Sequence, residues 1–196
     1  MKLLPFLFIT SLFSTAVLAV DSVSNQPEKM AAEELMIVGG EMNKLSKTGA
    51  SFALETIQKN AKLAPFALIL NTDDSISKLE ALAPFVKKAP TREKINYLRG
   101  QIKNFAELGK IKAGAVFSRG LGRTSSITDE VVGLIIEQEH VKGISTIQFV
   151  PYENKNGQIK ALTATSNVKP KLFFNEKISS HETYKQIKQA VAQAQK

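Results

Sequence analysis

The spacing of apolar residues predicts a broken helix at the start of the globular part of the chain. Between residues 30 and 62 apolar side chains recur every three or four positions, which is the period of one helix face; they include Leu35, Val38, Met42, Phe52, Leu54 and Ile57. Gly39 and Gly40 each weaken a helix by about 1 kcal/mol, so they indicate a kink or a close packing contact. Thr48-Gly49 is a plausible stop before a second helical stretch.

The pattern then predicts a hairpin, a linker and a clear helix. Residues 66–70 are all apolar, as in a buried strand, and residues 75–80 alternate after a polar turn. Residues 83–90 begin and end near prolines and are interpreted as a linker. A helix is predicted over 91–108, and Gly109 suits the position just past its end.

Alternation with a period of two predicts that the second half of the chain is mostly strand. The strand-like runs lie at 112–117, 131–139, 145–151, 159–165 and 168–174. The segment 118–128 between the first two runs is expected to be a loop. A capping box, Ser179-x-x-Glu182, predicts a last helix.

This order of elements favours one fold class. Consecutive strands joined by short turns pair antiparallel. The sequence therefore predicts an α+β fold with a single antiparallel sheet of about five strands packed with helices. Profilin-like and roadblock-like domains have a similar order of elements, an analogy that concerns the fold and not the function.

The first 19 residues have the pattern of a cleavable secretory signal peptide. The basic Lys2 precedes a short apolar run, and cleavage is expected after Ala19. A transmembrane helix needs about 20 apolar residues, and this run is shorter. We expect a periplasmic or secreted protein with a flexible segment at 20–29, a single α+β domain over 30–196 and no transmembrane segment after signal removal.

The composition narrows the possible chemistry. The chain has no cysteine, which excludes a thiol oxidoreductase, a cysteine hydrolase and a thiolate metal site. It has two histidines and no His-Glu-x-x-His motif, so no metal and no cofactor are predicted. The formal charge is +8, and loss of Lys2 with the signal leaves +7. In an exported protein this charge serves solubility or binds anionic lipid or polysaccharide, and nucleic acid is not expected as a partner.

Four short motifs occur in order between residues 63 and 153. They are Pro65–Leu70 with the acidic Asp74 after it, the pair Glu139-His140, the turn at Gly143, and the pair Pro151-Tyr152. This arrangement resembles a bacterial family of small α+β proteins with no assigned function. The resemblance implies a fold and transfers no activity. The export signal, the long amino-terminal helical region and the segment 118–128 depart from that family.

The first candidate site is the segment Arg119-Gly120-Leu121-Gly122-Arg123. Its two glycines let backbone amides turn toward an anion, and its arginines supply positive charge, so a phosphate or a sugar acid is a suitable ligand. The alternative interpretation is a plain hairpin loop.

The second candidate site is the end of the strand predicted over 131–139. Glu137 and Glu139 project from one face about 7 Å apart, whereas His140 points to the other face. Two carboxylates at this spacing suit acid–base catalysis or a hard cation. The alternative interpretation is a strand that ends in exposed charges.

Three functions remain open at the level of sequence. The leading hypothesis is a non-enzymatic binding or assembly component that contacts another envelope protein through its sheet or its amino-terminal helices, because no catalytic constellation is present. The second is an anion-binding module that uses Arg119, Arg123 and the basic face of the helix over 91–108. The third is a hydrolase that depends on Glu137 or Glu139.

Overall fold

The computed structural model describes residues 32–124 and 127–174. In these residues three helices and seven strands follow one another: α1 (Ala32–Asn60), β1 (Phe66–Asn71), β2 (Ile76–Glu80), α2 (Pro84–Lys87), α3 (Thr91–Glu107), β3 (Ile111–Thr124), β4 (Ile127–His140), β5 (Ser145–Lys155), β6 (Gln158–Ala161) and β7 (Thr165–Val168). The segments predicted over 1–29 and from Ser179 onward lie outside the described residues. No helix within those residues is long and apolar enough to cross a membrane.

The strands form one antiparallel sheet in the order β2-β1-β3-β4-β5-β6, and β7 also pairs with β5. β7 pairs with the first half of β5, and β6 pairs with the second half. The predicted α+β fold with one antiparallel sheet is confirmed. The expected number of about five strands is wrong, because the long β5 carries two short strands on the same edge and the described residues form seven strands.

The central strands are covered by helices on both faces. Phe66, Leu68 and Leu70 of β1 pack in the core beneath α1, whereas Ala67 and Ile69 pack in the core beneath α3. Burial on both sides explains why this run of the sequence is entirely apolar. The α1 side contains the stacked rings of Phe66 and Phe117, with centroids 4.8 Å apart.

α1 is one continuous helix of 29 residues, so the predicted break at Thr48-Gly49 is wrong. Gly49 is buried and faces the Phe117 ring, where a Cβ atom would overlap three ring carbons. This glycine is therefore a packing residue and not a helix stop. Gly39 and Gly40 have the opposite setting, because a Cβ at either position would meet nothing within 4 Å.

Two other predicted connections are regular structure. Residues 118–124 continue β3, and β4 already begins at Ile127, so the loop expected over 118–128 is wrong over most of its length. The linker expected over 83–90 contains α2, which is anchored by the buried Val86. The predicted turns at Gly109 and Gly143 are confirmed, with positive φ angles of 64° and 90°.

Candidate functional site

The last residues of β4 alternate between the two faces of the sheet. Glu137 and Glu139 contact groups on the α3 side. Gln138 and His140 contact α1, where the Ser46 hydroxyl donates to the Gln138 side-chain oxygen over 2.6 Å. The predicted division of the carboxylates and His140 between opposite faces agrees with these contacts. The two faces are therefore separate polar clusters.

On the α3 side, Glu137 forms a two-point ion pair with Arg99 of α3. Arg99 Nη2 lies 2.6 Å from Glu137 Oε1, and Arg99 Nε lies 3.1 Å from Glu137 Oε2. Arg99 also donates to the Asn96 side-chain oxygen over 3.1 Å. Bidentate pairing fixes both planar groups, so this pair orients α3 over β4.

Glu139 holds the chain segment that follows β7. Its side chain has no exposed surface. Its carboxylate accepts backbone N–H groups from three consecutive residues, at 2.7 Å from Leu172, 2.8 Å from Phe173 and 3.3 Å from Phe174. We call residues 169–174 the strap. Phe173 and Phe174 of the strap are buried in the core beneath α3.

Lys169, the first residue of the strap, brings a buried amine to the same cluster. Its Nζ atom has no hydrogen-bond partner among the described residues. It lies 5.0 Å from the centroid of the Phe173 ring. Burial lowers the pKa of the Lys169 amine, and the carboxylates of Glu137 and Glu139 offset only part of that effect. This residue therefore costs stability whenever it is protonated.

Lys169→Met should stabilise the protein by about 1 kcal/mol near neutral pH, because it removes an unpartnered buried amine and keeps the apolar stem. A folded-state pKa below the ordinary 10.5 means that wild-type stability falls as the pH drops through the lowered value. The part of the gain that depends on the charge should therefore disappear above pH 10.5. Urea unfolding across a pH series measures it, with the exposed Lys171→Met as the control. A gain that is equal for both variants, or independent of pH, contradicts the prediction.

On the α1 side, His140 is tied to two groups and is 2% exposed. Its Nδ1 atom accepts the backbone N–H of Lys142 over 3.1 Å, and its Nε2 atom lies 2.8 Å from Glu41 Oε2. Since Nδ1 acts as acceptor, the proton belongs on Nε2, which donates to the Glu41 carboxylate. Both ring nitrogens are thus occupied inside the fold.

Lys112 completes this cluster because a bulge turns it toward α1. The pairing of β1 with β3 shifts register between Leu70 and Asn71, opposite Lys112. Lys112 Nζ lies 2.5 Å from Asp74 Oδ1 and 3.2 Å from Glu41 Oε1. Burial would lower the pKa of Lys112, but the hydrogen bond that its amine donates to Asp74 and the charge of Glu41 outweigh this effect and raise the pKa.

Glu41 shows the same balance with the opposite sign. Burial would raise the pKa of its carboxyl, but the hydrogen bond from His140 and the charge of Lys112 lower it below the ordinary 4.5. The stability from this pairing is present above pH 4.5 and is lost as the pH falls through the lowered pKa. The cluster fastens α1 to the sheet at neutral pH.

The Gly-Arg segment lies in β3 and has structural contacts. Arg119 Nη1 donates over 2.9 Å to the carbonyl of Ala61, just past the end of α1, which stabilises a helix carboxyl end. Arg123 lies 3.8 Å from Glu130 on β4. A Cβ at Gly120 would lie 2.5 Å from Ile135 Cδ1, and one at Gly122 would lie 2.8 Å from the Phe149 ring. The two glycines make room for neighbouring side chains in an extended strand.

The sequence analysis missed the partners of these candidates. The helix pattern predicted Arg99 only as one charge on a solvated face, and no local pattern indicated a role for Lys169. A signal was present for Lys112, because it is the one charged residue in the otherwise apolar run from Ile111 to Phe117, and a charge in a buried strand requires a partner. Glu41 offered a similar signal, because it follows the apolar Val38 by three positions on the same helix.

The candidate groups at the end of β4 all have partners inside the fold. The carboxylates of Glu137 and Glu139 and both nitrogens of His140 are engaged by internal partners. Within residues 32–124 and 127–174 no group of three carboxylate or histidine side chains is placed to hold a metal ion. No family model, curated protein or solved structure matches this chain. The resemblance to the unassigned bacterial family stays a prediction.

Proposed function

We propose that this chain is an exported envelope protein that acts by binding another envelope protein and not by catalysis. Export rests on the signal pattern of residues 1–19, with cleavage after Ala19. The internal saturation of Glu137, Glu139 and His140 supports the absence of catalysis. Sequencing the amino terminus of protein recovered from the periplasm or the medium should give Val20 as the first residue, and an unprocessed chain in the cytoplasm would contradict export.

One surface around α2 carries the binding proposal. Phe85 is 78% exposed and Leu82 is 65% exposed, which is unusual for two neighbouring large apolar side chains. The Phe85 ring meets the Tyr97 ring edge to face, with centroids 5.9 Å apart. We call Leu82, Phe85 and Tyr97 the aromatic patch. An exposed aromatic residue that is already held in place is a typical anchor of a protein interface.

Charge around the aromatic patch indicates the chemistry of the partner. Three exposed basic residues follow Phe85 along the chain, namely Lys87, Lys88 and Arg92, and one exposed acidic residue, Glu93, comes after them. A complementary surface would have an apolar pocket for Phe85 with an acidic rim. We therefore propose an envelope protein with an acidic binding surface as the partner.

Photo-cross-linking in intact cells tests this function. A photoreactive residue at position 85 should capture one exported protein, and the same residue at the exposed position 163 should not. Lys87→Glu with Lys88→Glu should reduce the adduct roughly tenfold, because it opposes the acidic rim. The captured protein, once purified, should bind wild type and fail to bind Phe85→Ser. Equal labelling from positions 85 and 163 would reject the aromatic patch as the contact surface.

A second candidate function is attachment to anionic lipid, which the same combination of Phe85 and three cations favours. Basic residues near an anionic bilayer contribute about 1 kcal/mol each, and an inserted aromatic ring adds apolar burial. Flotation with vesicles of 30% phosphatidylglycerol, compared with pure phosphatidylcholine, separates this case from the first. Binding to the anionic vesicles that fades with salt, without a cross-linked protein, would favour lipid.

A further inference from the structure

The outer side of α1, directly opposite its buried stripe, has an ordered sequence of charges. The residues on the outer side lie about one helical turn apart, and they are Glu33, Met36, Ile37, Gly40, Lys44 and Lys47. The buried stripe consists of Val38, Met42, Leu45, Gly49 and Ala53. At 100° per residue the two sets lie on opposite sides of the helix. We call Glu33, Met36, Ile37, Gly40, Lys44 and Lys47 the outer stripe. It has an acidic end, an apolar and small centre, and a basic end.

Two copies of the outer stripe are complementary when they lie antiparallel, because the acidic end of each then meets the basic end of the other. If two copies of α1 lie antiparallel and cross at Gly40, Glu33 of each copy faces Lys47 of the other, because both residues are seven positions from the crossing point. The same symmetry brings Met36 opposite the aliphatic stem of Lys44. A two-fold axis therefore repeats each favourable contact.

The centre of the outer stripe suits a close approach. A Cβ at Gly40 would meet nothing within 4 Å, so no part of the described chain covers this position. Met36 is 71% exposed and Ile37 is 37% exposed. A glycine at the crossing point lets two helix backbones come together, and the flanking apolar side chains then leave water.

We propose that α1 binds α1 of a second copy of this chain, antiparallel across Gly40, to form a symmetric dimer. This proposal uses a surface apart from the aromatic patch and does not depend on the proposed function. A single helix pair buries less surface than the roughly 1,600 Å² of a standard interface, so the dimer should be weak, with a dissociation constant in the micromolar range.

Sedimentation velocity on the protein purified from its host cell tests the dimer. Wild type should change from monomer to dimer between about 5 and 500 µM. Glu33→Lys and Lys47→Glu should each weaken association roughly tenfold, because each places like charges together twice across the axis. The double variant Glu33→Lys with Lys47→Glu should restore it. Glu55→Lys, on the same helix beyond the contact, is the matched control and should associate like wild type.

The outcomes decide the proposal in both directions. A wild type that stays monomeric at every concentration overturns it, and so does a dimer that both single charge reversals leave intact. Far-ultraviolet circular dichroism confirms that each variant is folded. Phe85→Ser should leave the dimer unchanged, so loss of envelope binding and loss of self-association are read separately.

Discussion

Gly49→Ala should destabilise the protein by about 3 kcal/mol, even though alanine is the better helix former by about 1 kcal/mol. The added methyl group would overlap three carbons of the Phe117 ring. That ring cannot move freely, because it stacks on Phe66 with centroids 4.8 Å apart, and Phe66 in turn meets Phe52 edge to face at 5.0 Å. Relief of the overlap therefore requires α1 to shift away from the sheet.

Gly40→Ala is the matched control, because it makes the same change on the same helix in open space. It should stabilise the monomer by up to about 1 kcal/mol through helix propensity. Urea unfolding at low micromolar protein measures both variants. We expect the free energy of unfolding to fall for Gly49→Ala and to rise for Gly40→Ala. A stabilising Gly49→Ala would show that the Phe117 ring can move to make room for the methyl group.

Glu139→Gln should cost about 3 kcal/mol. The carboxylate is fully buried and accepts three backbone N–H groups of the strap, from Leu172, Phe173 and Phe174. An amide keeps the shape but replaces one acceptor oxygen with a donor, which then faces an N–H group. Charge-assisted hydrogen bonds of this kind contribute about 1.5–3 kcal/mol each, so even partial loss is large.

Glu137→Gln controls for the loss of a negative charge two residues away on the same face. Its partner Arg99 has a side chain that is 34% exposed, so water can replace part of the ion pair and the cost should be about 1 kcal/mol. Amide hydrogen exchange should show lost protection at residues 172–174 in Glu139→Gln alone. Equal costs for the two variants would mean that the strap contributes little to stability.

Local patterns predicted the elements well where packing follows the usual period. The apolar run of β1 and the alternation along β4 indicated strands, and the spacing over 91–108 indicated α3. The break assigned to Gly49 failed for a physical reason. A glycine can end a helix or admit a close neighbour, and only the position of Phe117, 68 residues later in the numbering, distinguishes the two cases.

The candidate sites show the same limit at longer range. The alternation of the strand predicted Glu137 and Glu139 on one face and His140 on the other, and the contacts of these residues agree with that prediction. The partners Arg99, Glu41 and the strap come from distant parts of the chain, so their roles in saturating these groups were not predictable from local spacing. Gly120 and Gly122 likewise looked like an anion loop, because the sequence does not show that Ile135 and Phe149 lie over them.

α1 is made early in synthesis, but its partners are made late. Glu41 pairs with His140, 99 positions later, and Gln58 donates to the Gly157 carbonyl at the β6 hairpin, also 99 positions later. Contacts of such long range slow folding, because the intervening chain must be ordered first. A growing chain that ends before β4 lacks Gln138 and His140, so Ser46 and Glu41 of α1 cannot yet form their buried polar contacts. The fold therefore completes the attachment of α1 to the sheet only after most of the polypeptide exists.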